Sequence, residues 1–230
     1  MAVMTTAKPL SRGDQTRELL ILAALDVFGH SGFDAASTRA IAQAAGVNQA
    51  LIGYHFGGKH GLYLAVFGHI VSHMQQRMVP VGDEVMRRLQ FAPQNPAARR
   101  DLALELMLLM FDAYTDMIGD RAAAGWVRLI LREQQDPTEA FQLLYDTIFS
   151  RLLELLAQLV AVASGVEPGA EACRVRALML LGQVLIFFIA RGTTARYLEW
   201  TTFSPGTIAA LKQQFHLALE SQFRQGVVTS

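Results

Sequence analysis

Polar and aromatic side chains that suit contact with DNA are concentrated between residues 37 and 59 of the sequence. An amide such as that of Gln49 pairs with adenine in the major groove, and apolar groups such as Ala50 and Leu51 contact the thymine methyl group. Phenol, imidazole, hydroxyl and cationic groups bind phosphates. We therefore expect a DNA contact set made of Ser37, Thr38, Arg39, Asn48, Gln49, Ala50, Leu51, Gly53, Tyr54, His55 and Lys59.

Two short helices joined by a tight turn are predicted to position these side chains. Ser37 is a favourable N-cap for a helix over about residues 38–45, and Gly46 permits the turn because it tolerates a positive φ. Asn48 can cap a third helix over about residues 49–55. This layout predicts a helix-turn-helix, which places the start of its second helix in the major groove of DNA.

Longer helices are predicted on both sides of this motif. Asp14 is a plausible N-cap for a first helix that ends near His30 and carries an apolar stripe of helical period. A fourth helix begins at Lys59 and runs to about Met78, and Pro80 is expected to end it. The predicted organisation is a flexible arm over residues 1–13, a helix-turn-helix domain over 14–58, a connecting helix over 59–80 and a larger helical domain over 81–230.

The remainder of the chain also has helical patterns. They cover about residues 97–118, 121–134, 138–164, 169–191 and 205–224, and no stretch alternates with the period of two that is typical of a strand. The sequence therefore predicts an all-α protein, with a three-helix DNA-binding module followed by a larger helical domain for ligand binding and dimerisation.

Charge and cysteine content limit the class of protein. Lysine plus arginine and aspartate plus glutamate each number 20, so a protein that binds DNA by net charge alone is not expected. Residues 1–60 carry five basic and four acidic side chains, so tight binding requires two subunits on one site. Cys173 is the only cysteine, and the N-terminal residues lack the apolar segment of a secretory signal, so we expect a cytoplasmic protein.

The chain is apolar for a water-soluble protein. Hydrophobic residues make up 52% of it and its mean hydropathy is +0.26. The best candidate membrane span, residues 177–190, is shorter than the roughly 20 residues that a spanning helix needs. The apolar excess therefore indicates buried helices, a subunit interface or an internal cavity, and no membrane partner is expected.

Two C-terminal helices have apolar faces that suit a subunit interface. A two-fold dimer would place two recognition helices about one DNA turn apart and would require a near-palindromic operator. The same faces are also compatible with the core of a monomer. The expected interface residues are Leu178, Leu181, Leu185, Phe188, Ile208, Leu211, Phe215 and Leu219.

Methionine and aromatic residues are mixed in the middle of the chain, a composition that suits a cavity for a small apolar or aromatic ligand. Ordinary core packing accounts for the same composition. Asp112, Asp116, Arg128 and Arg132 are polar candidates for orienting a ligand, unless they form a solvated face. The expected ligand contacts are Met107, Met110, Phe111, Tyr114, Trp126, Ile130, Phe141 and Tyr145.

Other chemistry has little support in the sequence. His69 and His73 have a spacing that can bind metal, but no Glu or Cys stands at a matching offset. Cys173 has no second cysteine nearby for a redox pair. A nucleophile elbow, a phosphate loop and a zinc-protease motif are all missing from the sequence, so we expect no catalytic residues, no metal and no cofactor.

The ordered residues around the turn resemble the tetracycline-repressor-type (TetR) family of bacterial transcriptional regulators. The resemblance covers about residues 16–67, and residues 191–211, with Tyr197 and Trp200, also resemble the C-terminal domain of the CerR/CecR-like branch. The matching residues of the first segment are Ala24 to Phe28, Gly32 and Phe33, Ser37 to Ala42, Ala45 to Val47, Tyr54 to Phe56, Lys59 and Leu62.

The resemblance implies a homodimeric regulator, most commonly a repressor, whose operator affinity is changed by a small-molecule effector. Gly53 stands where the family often has an aromatic residue, and His60 and Gly61 stand where acidic residues are common, which leaves the target sequence open. The competing hypothesis is an all-helical small-molecule carrier or enzyme that has lost DNA binding. The presence of Tyr54, His55 and Lys59 weighs against it, and a general nucleoid protein would need a basic excess, which is not present.

Overall fold

The computed structural model describes residues 11–120 and 123–224, and within these ranges every regular element is helical. The expected all-α class is therefore confirmed. The elements are α1 (Arg12–Ala35), α2 (Thr38–Ala45), α3 (Ala50–Phe56), α4 (Lys59–Gln90), α5 (Pro96–Gly119), α6 (Ala123–Gln135), α7 (Glu139–Leu144), a π-helical turn (Tyr145–Phe149), α8 (Ser150–Ser164), α9 (Glu171–Ile189), α10 (Arg191–Tyr197) and α11 (Pro205–Arg224).

The chain divides into two compact units. The first is Met1–Ile70 with Arg128–Phe141, and the second is Val71–Val127 with Gln142–Ser230. The chain therefore passes from one unit to the other three times, within α4, α6 and α7. The first unit extends along α4 beyond the residue 58 boundary expected from the sequence, and it includes a segment that is distant in sequence.

The first helix begins three residues earlier than predicted. Ser11, not Asp14, is the N-cap: the Ser11 hydroxyl accepts a hydrogen bond from the Asp14 amide at 3.1 Å, and the Asp14 carboxylate accepts one from the Ser11 amide at 3.3 Å. Asp14 is thus the third helical residue of a capping box. The expected arm over residues 1–13 lies mostly outside the described residues, and Arg12 and Gly13 belong to α1.

The fourth helix does not end at Pro80, which is a correction to the prediction. α4 has 32 residues and continues to Gln90 with Pro80 inside it. A proline removes one helical hydrogen bond, but tertiary contacts override that preference here. Beyond Pro80, Val85 is fully buried and the Arg88 guanidinium forms two hydrogen bonds to the Glu105 carboxylate of α5, at 2.9 and 2.8 Å.

The core of the second unit is formed by packing between α5, α8, α9 and α11. The rings of Phe111 on α5 and Phe215 on α11 lie 4.3 Å apart. Two carboxylates that were candidates for orienting a ligand instead pair with α11: Asp116 with Lys212 at 2.6 Å, and Asp112 with His216 at 2.8 Å.

The tail is divided differently from the prediction. One helix was expected up to Arg191, but α9 ends at Ile189 and the short α10 begins at Arg191. After α10, the ring of Phe203 stacks on Phe188 at 4.9 Å and the Arg191 guanidinium lies 4.8 Å from its centre. These contacts fix the segment that leads to α11.

Two helical stretches, Glu139–Ser164 and Glu171–Ile189, are long and apolar enough to cross a membrane by length and composition alone, with mean hydropathies of 1.5 and 1.8. The length argument made from residues 177–190 is therefore corrected, because the helix is 19 residues long. Core helices of soluble proteins meet the same criterion. Much of α9 is exposed in the single chain.

Candidate functional site

The turn between α2 and α3 is built by local hydrogen bonds. The Ser37 hydroxyl accepts from the Ala40 amide at 3.1 Å, so Ser37 is the N-cap of α2 as predicted. Gly46 has φ of 68°, and Val47 donates its amide to the Ala42 carbonyl at 3.0 Å, which is a Schellman motif. Because a side chain is disfavoured at this φ, glycine is needed at position 46.

The start of α3 is exposed and held in place by two side chains. The Asn48 side-chain oxygen accepts a hydrogen bond from the Ala50 amide at 2.9 Å, so Asn48 caps this helix. The Gln49 amide nitrogen donates to the Thr38 hydroxyl of α2 at 2.9 Å. Gln49 and Ala50 are exposed, and Leu51 is half-buried. The hydrogen bond to Thr38 therefore restrains the Gln49 amide in the free protein.

The end of α3 presents an aromatic group to solvent. Tyr54 is 83% exposed, and its ring lies 5.0 Å from the His55 ring in an edge-on arrangement. An exposed phenol beside an imidazole suits contact with a sugar-phosphate backbone. Gly53 has no atom within 4 Å of the position a Cβ would take, so this side of α3 is open to close approach.

Lys59 has an internal role that the sequence did not indicate. Its ammonium group donates to the Asp34 carbonyl at 3.1 Å and lies 4.5 Å from the centre of the Phe33 ring. These contacts fasten the first residue of α4 to the end of α1. Arg39 is the exposed cation on α2, and Arg17 lies 5.3 Å from the Phe56 ring.

A buried carboxylate lies within the same unit and was missed by sequence reasoning. Glu133, on the last part of α6, is 3% exposed. One of its oxygens accepts from the Tyr63 hydroxyl of α4 at 2.7 Å, and the other accepts from Thr138 and from the Phe141 amide at 3.1 Å. Burial, and then the hydrogen bond to Glu133, raise the pKa of Tyr63 well above its usual range, so the phenol remains a donor.

Arg132 completes this contact between α6 and the rest of the first unit. A Cβ at Gly32 would lie 2.7 Å from an Arg132 guanidinium nitrogen, so a larger residue there would require the Arg132 side chain to move. Gly32 has φ of 80°, and α1 is kinked there. Arg132 is therefore part of the first unit.

The second unit contains a cavity of about 330 Å³. This volume is within the range of roughly 300–1,000 Å³ that is typical of small-molecule sites. Residues of α4, α5, the π-helical turn and α8 line it. The lining includes five methionines, Met74, Met78, Met86, Met110 and Met117.

Two of the eight expected ligand contacts, Met110 and Tyr114, line this cavity. Met107 is fully buried, and Phe111 packs on Phe215, so both belong to the core. The Trp126 ring lies 5.4 Å from His73. Tyr145 borders a different cavity, and Ile130 and Phe141 lie in the first unit. Met110 and Tyr114 belong to α5, whereas α4 and α8 supply most of the lining.

The expected interface residues separate into two groups. Leu178 is 56% exposed, and Leu181 and Leu185 are half-buried, so these side chains can meet a partner. The others are buried within the single chain, which assigns them to its core instead of a subunit surface. They are Phe188, Ile208, Leu211, Phe215 and Leu219.

The exposed apolar surface of α9 overlaps the predicted interface at Leu178 and extends to other residues of the helix. It follows a helical spacing of three and four, and Gly182 within it has no atom near the position of a Cβ. We call this surface the α9 stripe; its residues are Val175, Leu178, Met179, Ile186 and Ile189.

The other sequence candidates are placed as follows. In the described part of the chain, no group of three or more His, Cys, Asp and Glu side chains is arranged to hold a metal ion. Cys173 is buried and 1% exposed. His73 contacts the Trp126 ring.

A capped helix-turn-helix in an all-helical chain defines a DNA-binding regulator. Residues 20–66 match the family model described as bacterial regulatory proteins, tetR family, and residues 103–221 match the one described as the C-terminal domain of the HTH-type transcriptional dual regulator CecR. The chain is 32% identical to CecR of Shigella flexneri over 192 residues, 84% of each protein. The chain therefore belongs to the tetR family, in its CecR-like branch, and is a transcriptional regulator.

Other similarities agree with this assignment. The HTH-type transcriptional regulator RutR of Shigella flexneri is 28% identical over 146 residues, 55% of this chain and 69% of the relative. The structure of the transcriptional regulator FadR from Bacillus subtilis in complex with stearoyl-CoA has a TM-score of 0.55 and 19% identity, over 88% of this chain and 96% of that one, which shows the shared fold. The relatives are regulators, so the carrier or enzyme hypothesis is set aside.

Proposed function

We propose that this protein is a homodimeric repressor whose affinity for a near-palindromic operator is changed by a small apolar or aromatic effector. The observation that carries the proposal is the exposed start of α3, held by Asn48 and by the contact between Gln49 and Thr38. A recognition helix needs this combination of exposure and fixed orientation. The action takes place in the cytoplasm, where the DNA is.

In this proposal α3 reads bases and its surroundings bind phosphates. Gln49 pairs with adenine, and Ala50 and Leu51 contact thymine methyl groups. Tyr54 and His55 donate to phosphates. Ser37, Arg39 and the backbone amides at the start of α4 contact the adjacent strand, while Lys59 orients α4 through Asp34.

The second subunit is a copy of the same chain that packs on the α9 stripe. Each of the five apolar residues of the α9 stripe is between 43% and 62% exposed in the single chain. A continuous apolar stripe on one helix is costly to leave in water, and a two-fold copy buries it against itself. Two subunits also supply the phosphate contacts that one nearly neutral module lacks.

The effector occupies the cavity of the second unit. Its lining includes Met74 and Met78 of α4, the helix that begins directly after the helix-turn-helix. A ligand that binds one of two conformations more tightly shifts the population towards it and so changes operator affinity.

Selection of binding sites from a random duplex library tests the DNA-binding part of this proposal. We expect a near-palindromic site, and we expect Gln49→Ala and Tyr54→Ala to lose most of the affinity for it. Gln90→Ala, an exposed glutamine at the end of α4, serves as the matched control and should bind normally. Lack of enrichment at low salt, or unchanged affinity of both α3 variants, would refute these assignments.

A further inference from the structure

The cavity of the second unit contains a buried polar group that has no partner in the described part of the chain. Tyr114 lines the cavity and is 7% exposed. Its hydroxyl makes no hydrogen bond to a described residue. Among the described residues, every side-chain polar atom that is fully inaccessible to solvent does have a hydrogen-bond partner. The hydroxyl oxygen therefore retains accessible surface, and the cavity is the space that Tyr114 lines.

The phenol is suited to donate a hydrogen bond. Burial raises the pKa of Tyr114 well above its usual range, so the hydroxyl is neutral and keeps its proton at physiological pH. A buried polar group without a partner costs free energy, and that cost is recovered when a ligand supplies an acceptor. Of the polar side chains that line the cavity, Tyr114 is the buried one, and the others are half-buried or exposed.

The rest of the lining indicates the nature of the ligand. Methionine side chains are flexible and adapt to apolar and aromatic surfaces, and five of them line this cavity. Three charged residues line the cavity, Asp83, Arg151 and Glu154, and all three are exposed to solvent. One cation and two anions provide no net positive charge for an anionic ligand.

We propose that this cavity binds an uncharged, largely apolar or aromatic molecule with one hydrogen-bond acceptor, and that the Tyr114 hydroxyl donates to this acceptor. The phenol thereby selects between molecules of equal shape by whether they carry the acceptor. This inference rests on the proposed effector role of the cavity and adds the chemical class of the ligand and the residue that selects it.

Three probes of similar shape test this proposal on the full chain by calorimetric titration. Benzophenone has a carbonyl acceptor, diphenylmethane replaces it with a methylene group, and para-benzoylbenzoate adds a negative charge. We expect benzophenone to bind roughly 3- to 10-fold more tightly than diphenylmethane, the range for one net hydrogen bond. Para-benzoylbenzoate should bind more weakly than benzophenone.

Variants connect the preference to the residue and to the cavity. Tyr114→Phe should bind both neutral probes equally and keep its affinity for diphenylmethane. Tyr197→Phe, which removes a hydroxyl from an 84% exposed tyrosine, should behave as the parent protein. Gly82→Leu should weaken both probes, because Gly82 lines the cavity and the nearest atom to its Cβ position is 4.0 Å away.

Three results would overturn the proposal. They are a preference for the ketone that persists in Tyr114→Phe, a charged probe that binds most tightly, and absence of binding by either neutral probe. Operator binding without probes is measured in parallel. If the parent protein binds its operator but no probe, the proposed ligand class is wrong and the DNA-binding function stands. If the probes bind as expected but operator binding is absent, the ligand class stands and the proposed DNA-binding function is wrong.

Discussion

Glycine at position 53 is the residue at which stability and DNA binding are expected to conflict. Gly53 lies inside α3, where glycine costs roughly 1 kcal/mol relative to alanine because its backbone loses more freedom on folding. No protein atom lies within 4 Å of its Cβ position, so packing does not require glycine there. The proposed DNA interface supplies a reason, since a bare backbone lets α3 lie closer to the groove.

We predict that Gly53→Ala raises the free energy of unfolding by up to roughly 1 kcal/mol and lowers operator affinity several-fold. Thermal unfolding and titration of the selected operator measure the two effects. Gly68→Ala is the matched control, because Gly68 is also helical and has an open Cβ position. Gly68→Ala should gain stability with no loss of operator affinity. Equal affinities for the parent protein, Gly53→Ala and Gly68→Ala would mean that DNA does not approach α3 closely at Gly53.

Residue-level contacts also give some of the predicted site residues structural roles that the sequence did not indicate. Lys59 was expected to bind phosphate because of its position in the sequence, and its ammonium also contacts the Asp34 carbonyl and the Phe33 ring; the phosphate contact stays a prediction. Asp112 and Asp116 were expected near a ligand, but they pair with α11. In each case the partner is more than 20 residues away, so local sequence could not indicate it.

Among the elements, the end of α6 has a structural role that its own sequence does not reveal. Residues 128–141 belong to the same compact unit as the helix-turn-helix. Glu133 connects Tyr63 of α4 to the start of α7, and Arg132 packs on the kink of α1 at Gly32. The DNA-binding unit is therefore completed by a segment about 70 residues further along the chain.

We predict that Glu133→Gln lowers the free energy of unfolding by about 1–3 kcal/mol, because an amide nitrogen would replace an oxygen that accepts hydrogen bonds in a buried site. Thermal unfolding followed by circular dichroism measures the change. Glu139→Gln, six residues later and exposed, should have little effect. Equal melting temperatures for the two variants would contradict the structural role given to Glu133.

α4 shows how packing can override a local signal. Pro80 followed by Val81 and Gly82 predicted an end to the helix, yet α4 continues to Gln90. The buried Val85 and the paired Arg88 and Glu105 groups stabilise the turns that follow the proline. One helix consequently runs from the end of the helix-turn-helix to the lining of the cavity, which makes it the candidate transmitter of the effector signal.

For the whole molecule, assembly is the property that the α9 stripe is expected to control. We predict that Ile186→Asp converts the dimer to a monomer, because it places a charge in the middle of an apolar interface. Light scattering coupled to size-exclusion chromatography measures the mass. Ile186 is 53% exposed in the single chain, so the substitution should leave the subunit folded.

Leu19→Asp is the matched control for this prediction, since Leu19 is 49% exposed on α1 and lies outside the stripe. It should remain a dimer. A dimeric Ile186→Asp protein, or a parent protein that is monomeric at micromolar concentration, would show that the α9 stripe is not the subunit interface. Loss of the dimer should also reduce operator affinity, because each module alone has few phosphate contacts.

The sequence alone determined the helical class and the helix-turn-helix, since caps and turns depend on neighbouring residues. Ser37, Gly46 and Asn48 make hydrogen bonds within five residues of themselves, and the structure places them as predicted. Their assignment to DNA contact stays a prediction, as do the roles of Gln49 and Tyr54.

Only the tertiary structure decided which apolar faces are core and which are exposed. The face of α11 that includes Leu211 and Phe215 has the same helical period as a subunit interface, but it is buried against α5, about 100 residues away in sequence. The periodicity of the sequence shows that a helix has an apolar side, but it does not show which element packs against that side. The part of the cavity lining that α4 and α8 supply, and the buried position of the Glu133 carboxylate, could not be predicted from the sequence for the same reason: each depends on helices brought together by folding.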